Sequence, residues 1–471
     1  MNVLFWLRQD LRLSDNLALK AALSAHPKTV TFLYVLPKSL GSASRWWLHH
    51  SLKAFDASLQ QYGHRLFLSN APEEEIILRL VAQKNIQALY CTQRHEPALA
   101  AADALLFQKL RTVGVSLEAY PGYLLHNPEK VLTGQGKPYQ KYTPFWKASS
   151  SGLTESVLKQ WLSKAPSALP PSLSWHQEKN IITVDQLDTW QLCPRHPNWA
   201  LGFEKTWIPG EVSAQKRLLN FIKNPIQQYA TQRDFPGNAS GTSRLSPHLH
   251  FGEISPHRIY HTALSQPVEE TYLKELVWRE FSYHLLHHFK ALPEQPLNPL
   301  FKHFPWHSDK KSWTAWTKGE TGYPIVDAGM RELWTTGWMH NRVRMIVASF
   351  LVKDLFIPWQ SGAEWFLDTL VDADLASNSA SWQWVAGCGA DAAPYFRIFN
   401  PTLQGKKFDP EGTYVKRWIP ELAHVSPSEI HEPWVSNLNI RHKYPKPIVD
   451  HAVARDKALH YYQQIKQLAS K

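Results

Sequence analysis

Three groups of residues in the second half of the chain combine charge, hydrogen-bonding capacity and flat aromatic surface at helical spacing. Glu275, Trp278 and Arg279 lie three and four positions apart, close to Tyr272. On a helix they share one face, where a carboxyl, an indole and a guanidinium could grip a flat heterocycle. A surface ion pair with Trp278 in the core meets the same spacing. Asn341, Arg344 and Met345 share a face in the run 338–345, which also holds Arg342. Further on, Asp372, Ala373, Asp374 and Asn378 interrupt an apolar stretch that continues to Trp382 and Trp384. Buried charges persist only when paired, so Arg344 with Asp372 is the expected pair, suited to sit beside a charged ring.

Upstream, Thr242, Ser243, Arg244, Leu245 and Ser246 stand directly before an expected helix start at Ser246-Pro247. Hydroxyls, a guanidinium and fresh helix N–H groups make a cradle for a pyrophosphate, although many capped helices look alike and bind nothing. Tyr229, Arg233 and their neighbours could lie over the same place.

The elements that must position these residues fall into two classes. Up to about residue 130, β-rich runs at 3–7, 29–36, 65–68, 88–91 and 115–120 alternate with amphipathic segments such as 46–62. That alternation predicts an α/β, doubly wound parallel sheet covered on both faces. No GxGxxG follows the first run, which argues against a dinucleotide on the sheet. A Ser-, Pro- and Lys-rich stretch with Pro166, Pro170 and Pro171 then reads as a connector. From about 200 onward helical periodicity dominates, with Ser-Pro starts at Ser246, Ser255 and Ser426. The expected division is therefore 1–130, 131–200 and 201–471, the last all-α.

With 44% hydrophobic and 19% charged residues, the chain belongs among folded globular proteins. A formal charge of +11 favours polyanionic partners, nucleic acid or an anionic membrane. The N-terminal run meets Arg8, Asp10 and Arg12 at once and no apolar run reaches the length of a membrane span, so a soluble, cytoplasmic protein is expected. Cys91, Cys193 and Cys388 are isolated, which fits a reducing compartment, and no HExxH or similar metal frame is present. The 21 tryptophans are unusual, and most should be core.

The chain carries Leu-Arg-Gln-Asp-Leu-Arg at 7–12, Thr-Gly-Tyr-Pro-Ile-Val-Asp-Ala at 321–328, Gly-Trp-Met-His-Asn-Arg at 337–342 and Phe-Arg-Ile-Phe-Asn-Pro at 396–401. The resemblance to the photolyase and cryptochrome family that these motifs carry runs in the family's order over nearly the whole length. It implies an N-terminal antenna domain and a helical domain that holds FAD. Tyr229, Thr242 to Ser246, Tyr272 and Arg279 would then hold the cofactor together with Arg344, Asp372, Ala373 and Asp374. Asn378 would face flavin N5, where an amide stabilises the reduced ring without forcing a proton onto it.

The same resemblance places Glu275, Trp278, Asn341, Met345 and Trp384 around a pyrimidine dimer. Asn341 and Met345 favour the cyclobutane type, because relatives acting on (6-4) photoproducts carry His there. Trp306, Trp359 and Trp382 match the family's electron relay. Arg233, Arg342, Gln404, Lys406 and Lys407 would meet the phosphates of UV-damaged DNA, bound by a monomer.

The antenna pigment is less constrained. Residues 93–99 lack the Asn-Glu pair of the enterobacterial folate site, whereas 44–48, with Trp46 and Trp47, resemble the branch that uses 5,10-methenyltetrahydrofolate. Folate is the expectation, with a deazaflavin as alternative and helix packing as the plain reading of the two tryptophans. Ser379-Ala380-Ser381 departs from the Asn-Gly-Gly of many photolyases, which should change packing more than chemistry. Rival functions are a cryptochrome-like blue-light photoreceptor without repair, expected to carry a long tail, and a nucleic-acid-binding scaffold with no flavin.

Overall fold

The structure is a computed structural model that describes residues 1–175, 178–265, 270–392, 396–436 and 443–468. Its N-terminal sheet is built from β1 (Asn2–Leu7), β2 (Thr29–Val35), β3 (Leu66–Ser69), β4 (Ala88–Thr92), β5 (Ser116–Tyr120) and β6 (Ile182–Thr183). The strand order is β5-β4-β1-β2-β3-β6. The first five are parallel, with Val3 opposite Val30 and Ala88, and with Leu33 opposite Phe67.

Side chains of alternate residues sort onto opposite faces, as the two-residue period of a strand requires. Val3, Phe5, Val30 and Phe32 pack with Trp46, Trp47 and Leu52 on one side. Leu4, Trp6, Leu33 and Leu89 pack with Ile77, Leu80 and Leu110 on the other. Trp46 and Trp47 are therefore core residues of helix Ser42–Gln60, and the Trp47 indole donates to Glu253 Oε1 at 3.0 Å.

The segment read as a connector is ordered into elements. Helix Tyr142–Ser151 packs Tyr142, Phe145 and Trp146 into the core that holds Phe281 and Tyr283. Its later part returns to the sheet: β6 adds an antiparallel edge to β3, with Thr183 opposite Phe67. Val184, Leu187 and Trp190 then close over that face.

The motif at 7–12 joins the two halves. Arg12, buried, donates to the carbonyls of Gly252 at 2.8 Å and Gly122 at 2.6 Å. Asp15 pairs with Arg258 through two contacts of 2.7 and 2.8 Å, and Glu211 accepts from the backbone N–H groups of Leu13 and Ser14. Gly252 has φ +65°, and a Cβ there would lie 1.9 Å from the Gln9 carbonyl oxygen, so the approach of the halves requires glycine.

Two of the three Ser-Pro helix starts differ from expectation. Ser255 caps helix Pro256–Leu264 by accepting from the His257 N–H at 3.1 Å. Ser246 lies inside its short helix, Ser246–His250, and makes no cap, because its hydroxyl is drawn to Asp372. Ser426 opens a run of turns and bonds to Ser428 and Glu429. Among the described residues no helix is long and apolar enough to cross a membrane.

Candidate active site

The expected ion pair forms. Arg344 Nη2 reaches both oxygens of Asp372, at 3.0 and 2.8 Å, while its Nε donates to the Met339 carbonyl at 2.8 Å. Asp372 also accepts from Ser246 Oγ at 2.6 Å, and Ser246 in turn accepts from the Trp338 indole at 3.3 Å. Arg344 has three anchors and remains 24% exposed, so it is held in place while able to meet a ligand.

Two residues on, Asp374 caps helix Leu375–Ala386 by accepting from the Ser377 N–H at 2.7 Å, and it also accepts from the hydroxyl of Tyr283. His250 Nδ1 lies 4.0 Å from Asp374 and has no hydrogen-bond partner. Burial lowers the pKa of His250 from 6.5, with Asp374 and Asp372 pulling the other way. Along the same helix Asn378 donates to the Ala363 carbonyl at 3.0 Å, which fixes its amide. Ala373 lies partly buried between the two aspartates.

Arg244 has φ +51° and stacks its guanidinium 4.8 Å from the Trp338 ring. Burial lowers its pKa, and its Nε is enclosed with no partner. Among the described residues no carboxylate comes within ion-pair distance of it. A desolvated cation without a counter-ion suits an anionic group, and the hydroxyls of Thr242 and Ser243 lie beside it in sequence. Tyr272 stands against Ser243 and packs edge-on to Tyr229, with ring centroids 5.1 Å apart. The donor set around Arg244, Arg344 and Asp372 therefore fits a phosphate-bearing flat cofactor.

The residues assigned to the lesion and its strand lie on neighbouring elements. Trp278 stacks on Tyr142 with centroids 3.6 Å apart and planes within 7°. Arg233 binds the carboxylate of Glu275 and lies 5.3 Å from the Tyr229 ring. Arg342 pairs with Asp234 at 2.8 Å, lies over Phe408 and touches the Met345 sulfur at 3.9 Å. Asn341 is exposed at the start of helix Asn341–Ser349. Trp384 borders a small hollow shared with Lys353, Asp391, Arg397 and Phe399, and Arg397 lies 5.8 Å from its ring. Gln404 and Lys407 lie on helix Pro401–Phe408; Lys407 is exposed, whereas Lys406 is bound to Glu432.

Arg279 turns away from Glu275 and Trp278. It donates to the Tyr123 carbonyl at 2.6 Å and to Glu280 at 3.3 Å, deep between the two halves of the chain.

Comparison with known proteins decides the family. The sequence pattern of the family described as DNA photolyase matches residues 3–167, and that of the FAD binding domain of DNA photolyase matches residues 272–464. The chain belongs to the DNA photolyase family. It is 47% identical to a deoxyribodipyrimidine photo-lyase of Agrobacterium fabrum, covering 99% of this chain and 98% of that one. Cryptochrome-2 of Arabidopsis thaliana is 35% identical, over 96% of this chain and 77% of its own length. A crystal structure of a bacterial class III photolyase from Agrobacterium tumefaciens superposes with a TM-score of 0.92 at 46% identity, covering 99% of this chain and 98% of that one.

Within this photolyase fold, the three relay candidates occupy different depths. Trp382 is buried, 5.0 Å from Phe366, and so close to Gly362 that a Cβ there would meet its ring at 2.1 Å. Gly362 belongs to helix Trp359–Thr369, whose first residue is the buried Trp359. Trp306 is half-buried, 4.5 Å from Phe304.

Sequence reasoning missed Tyr142 and Tyr283, and it gave Trp338 only as a member of the run 338–345. Tyr283 follows Arg279 by four positions on helix Glu270–His288, a spacing that could have drawn it in. Tyr142 reaches the site through tertiary packing and carries no local signal.

Proposed function

We infer that the protein uses light and FAD to split cyclobutane pyrimidine dimers in UV-damaged DNA. One observation carries the reading. A single helix, Leu375–Ala386, is capped by Asp374, holds Asn378 in its first turn and sets Trp382 and Trp384 further along. Flavin-facing and lesion-facing groups are thereby mounted on one rigid element. Arg244 would hold the diphosphate, and Arg344, Asp372 and Asn378 would surround the ring. Reduced FAD, when bound and excited, supplies one electron to the dimer and takes it back.

The protein's part is placement and electrostatics. A dimer pairs poorly with the opposite strand, so extruding it costs less than extruding normal bases. Trp278, Trp384 and Met345 would receive it while Asn341 meets its polar edge. Arrival of DNA would draw Arg233 toward a phosphate and free Glu275 to hydrogen-bond the dimer carbonyl as negative charge builds there. Arg342, Gln404 and Lys407 would hold the strand. Trp306, Trp359 and Trp382 would reload the flavin with electrons.

The reading includes a second chromophore, 5,10-methenyltetrahydrofolate, with a deazaflavin as alternative, resting on the resemblance at 44–48 alone. It also includes a monomer acting in the cytoplasm, which the three free cysteines suit.

The test is direct: record the absorbance of the purified protein and follow light-dependent loss of dimers from UV-irradiated oligonucleotide. Bound flavin with dimer loss only in the light is expected. A yellow protein that repairs nothing would point to a photoreceptor, and a colourless one to a DNA-binding scaffold.

A further inference from the structure

Asp374 stands at the edge of the candidate flavin site, and both of its carboxylate oxygens are engaged by the protein. Oδ1 accepts from the Ser377 N–H at 2.7 Å, and Oδ2 accepts from the hydroxyl of Tyr283. Tyr283 belongs to helix Glu270–His288, and its ring is buried. The Arg279 guanidinium, one turn earlier, lies 5.3 Å from that ring, and Tyr123 packs edge-on to it at 5.6 Å. Tyr123 follows the last parallel strand and donates to Glu96 at 3.3 Å. Two phenol–carboxylate pairs, one from each half of the chain, therefore face each other across the interface.

The pair nearer the candidate site has a fixed polarity. Burial raises the pKa of Tyr283 well above 10, and the charges of Asp374 and Glu96 raise it further. The phenol keeps its proton, so toward the carboxylate it is the donor. His250 Nδ1, 4.0 Å from Asp374, is too distant to take its place. The Ser377 N–H lies at the start of helix Leu375–Ala386, where the helix dipole favours an ionised carboxylate. Asp374 is thus held as an anion, with part of its charge directed onto the phenol.

We propose that Tyr283 is a positioning residue that sets how easily the flavin is reduced, acting through Asp374. The proposal rests on the reading that FAD lies against Asp372, Asp374 and Asn378. Reduction adds negative charge to the ring, so an unscreened carboxylate at its edge favours the oxidised form. The Tyr283 hydroxyl draws that charge away from the ring and fixes the direction in which the carboxylate points. It therefore favours reduced FAD, the form that the repair reading requires.

The experiment uses the full-length, flavin-loaded protein in the dark, at about pH 8, well above the carboxylate range. The ratio of reduced to oxidised flavin at a fixed potential is read from absorbance against a reference dye. It is compared for the wild type, Tyr283→Phe, Tyr123→Phe and a protein with 3-fluorotyrosine introduced at position 283. Tyr283→Phe should lower the ratio about fivefold, the factor carried by one hydrogen bond. The fluorinated phenol keeps the shape and is a stronger donor, so it should raise the ratio; this arm decides alone should Tyr283→Phe fail to hold flavin. Tyr123→Phe loosens the same interface without touching Asp374 and should change nothing. Unchanged ratios, or shifts of one sign in the two proteins altered at 283, overturn the proposal. A shift with Tyr123→Phe as large as that with Tyr283→Phe does so too. A wild type that binds no flavin overturns instead the functional reading beneath it.

Discussion

The carboxylate of Glu275 is bound to the guanidinium of Arg233, 42 positions earlier in the chain. Each was assigned its own task on DNA, and in the free protein each occupies the other. Glu275→Ala should leave flavin bound while slowing repair roughly tenfold, the effect of one charge-assisted hydrogen bond of about 1.5 kcal/mol. Repair yield per absorbed photon and flavin content, measured together, decide this. An unchanged yield would remove Glu275 from the mechanism.

Asp372 holds Arg344 and Ser246 at once and its side chain is almost fully buried. Asp372→Asn leaves Arg344 without its counter-ion, at a cost of about 3 kcal/mol for breaking a buried pair from one side. The purified variant should show a reduced ratio of flavin to protein absorbance and a lowered melting temperature. Full flavin content would show that Arg344 does not need its partner to hold the site.

Lys407 is exposed and its only described partner is the Phe408 ring, 5.1 Å away. Lys407→Ala should weaken binding to damaged and undamaged DNA alike. The slope of log Kd against log salt should shrink by about one. A loss confined to dimer-containing DNA would place Lys407 at the lesion instead.

Lys353 is buried beside Trp384, its amine bound to the Arg397 carbonyl, and burial pushes its pKa from 10.5 to about 7. Between those two values the unfolded chain holds a proton that the folded chain lacks, so stability attributable to this group rises with pH across that interval. Lys353→Met should flatten that rise and be most stabilising, relative to the wild type, at and below pH 7. Urea unfolding at pH 7 and at higher pH measures it; equal pH slopes in the two proteins would exclude Lys353 as the source.

The parts legible in the sequence are those with a local cause. The strands β1 to β4 are readable because β-branched and aromatic runs such as residues 29–35 are buried on both faces. The Arg344–Asp372 pair is readable because a charge within an apolar helix needs a partner. Ser246 misled because its neighbour Pro247 makes the local pattern of a cap, while Asp372, 126 residues away, offers a stronger acceptor. The run 321–328, one of the motifs that carry the family resemblance, is a brace. Asp327 accepts from Thr321, Gly322 and the hydroxyl of Tyr444, and its burial pushes its pKa up to about 6. The packing of Trp382, Trp316, Trp313, Trp365 and Trp334 draws on four separate helices, so no spacing rule could reveal it.

The two-residue strand β6 has a consequence for anyone dividing this chain. It comes from beyond residue 180 and seals the flank of β3, so an excised fragment ending near 130 would carry bare amide groups along that flank. Such a fragment should self-associate through its open side. A cut placed after Trp190 would keep both that seal and the layer of Val184, Leu187 and Trp190 over the sheet.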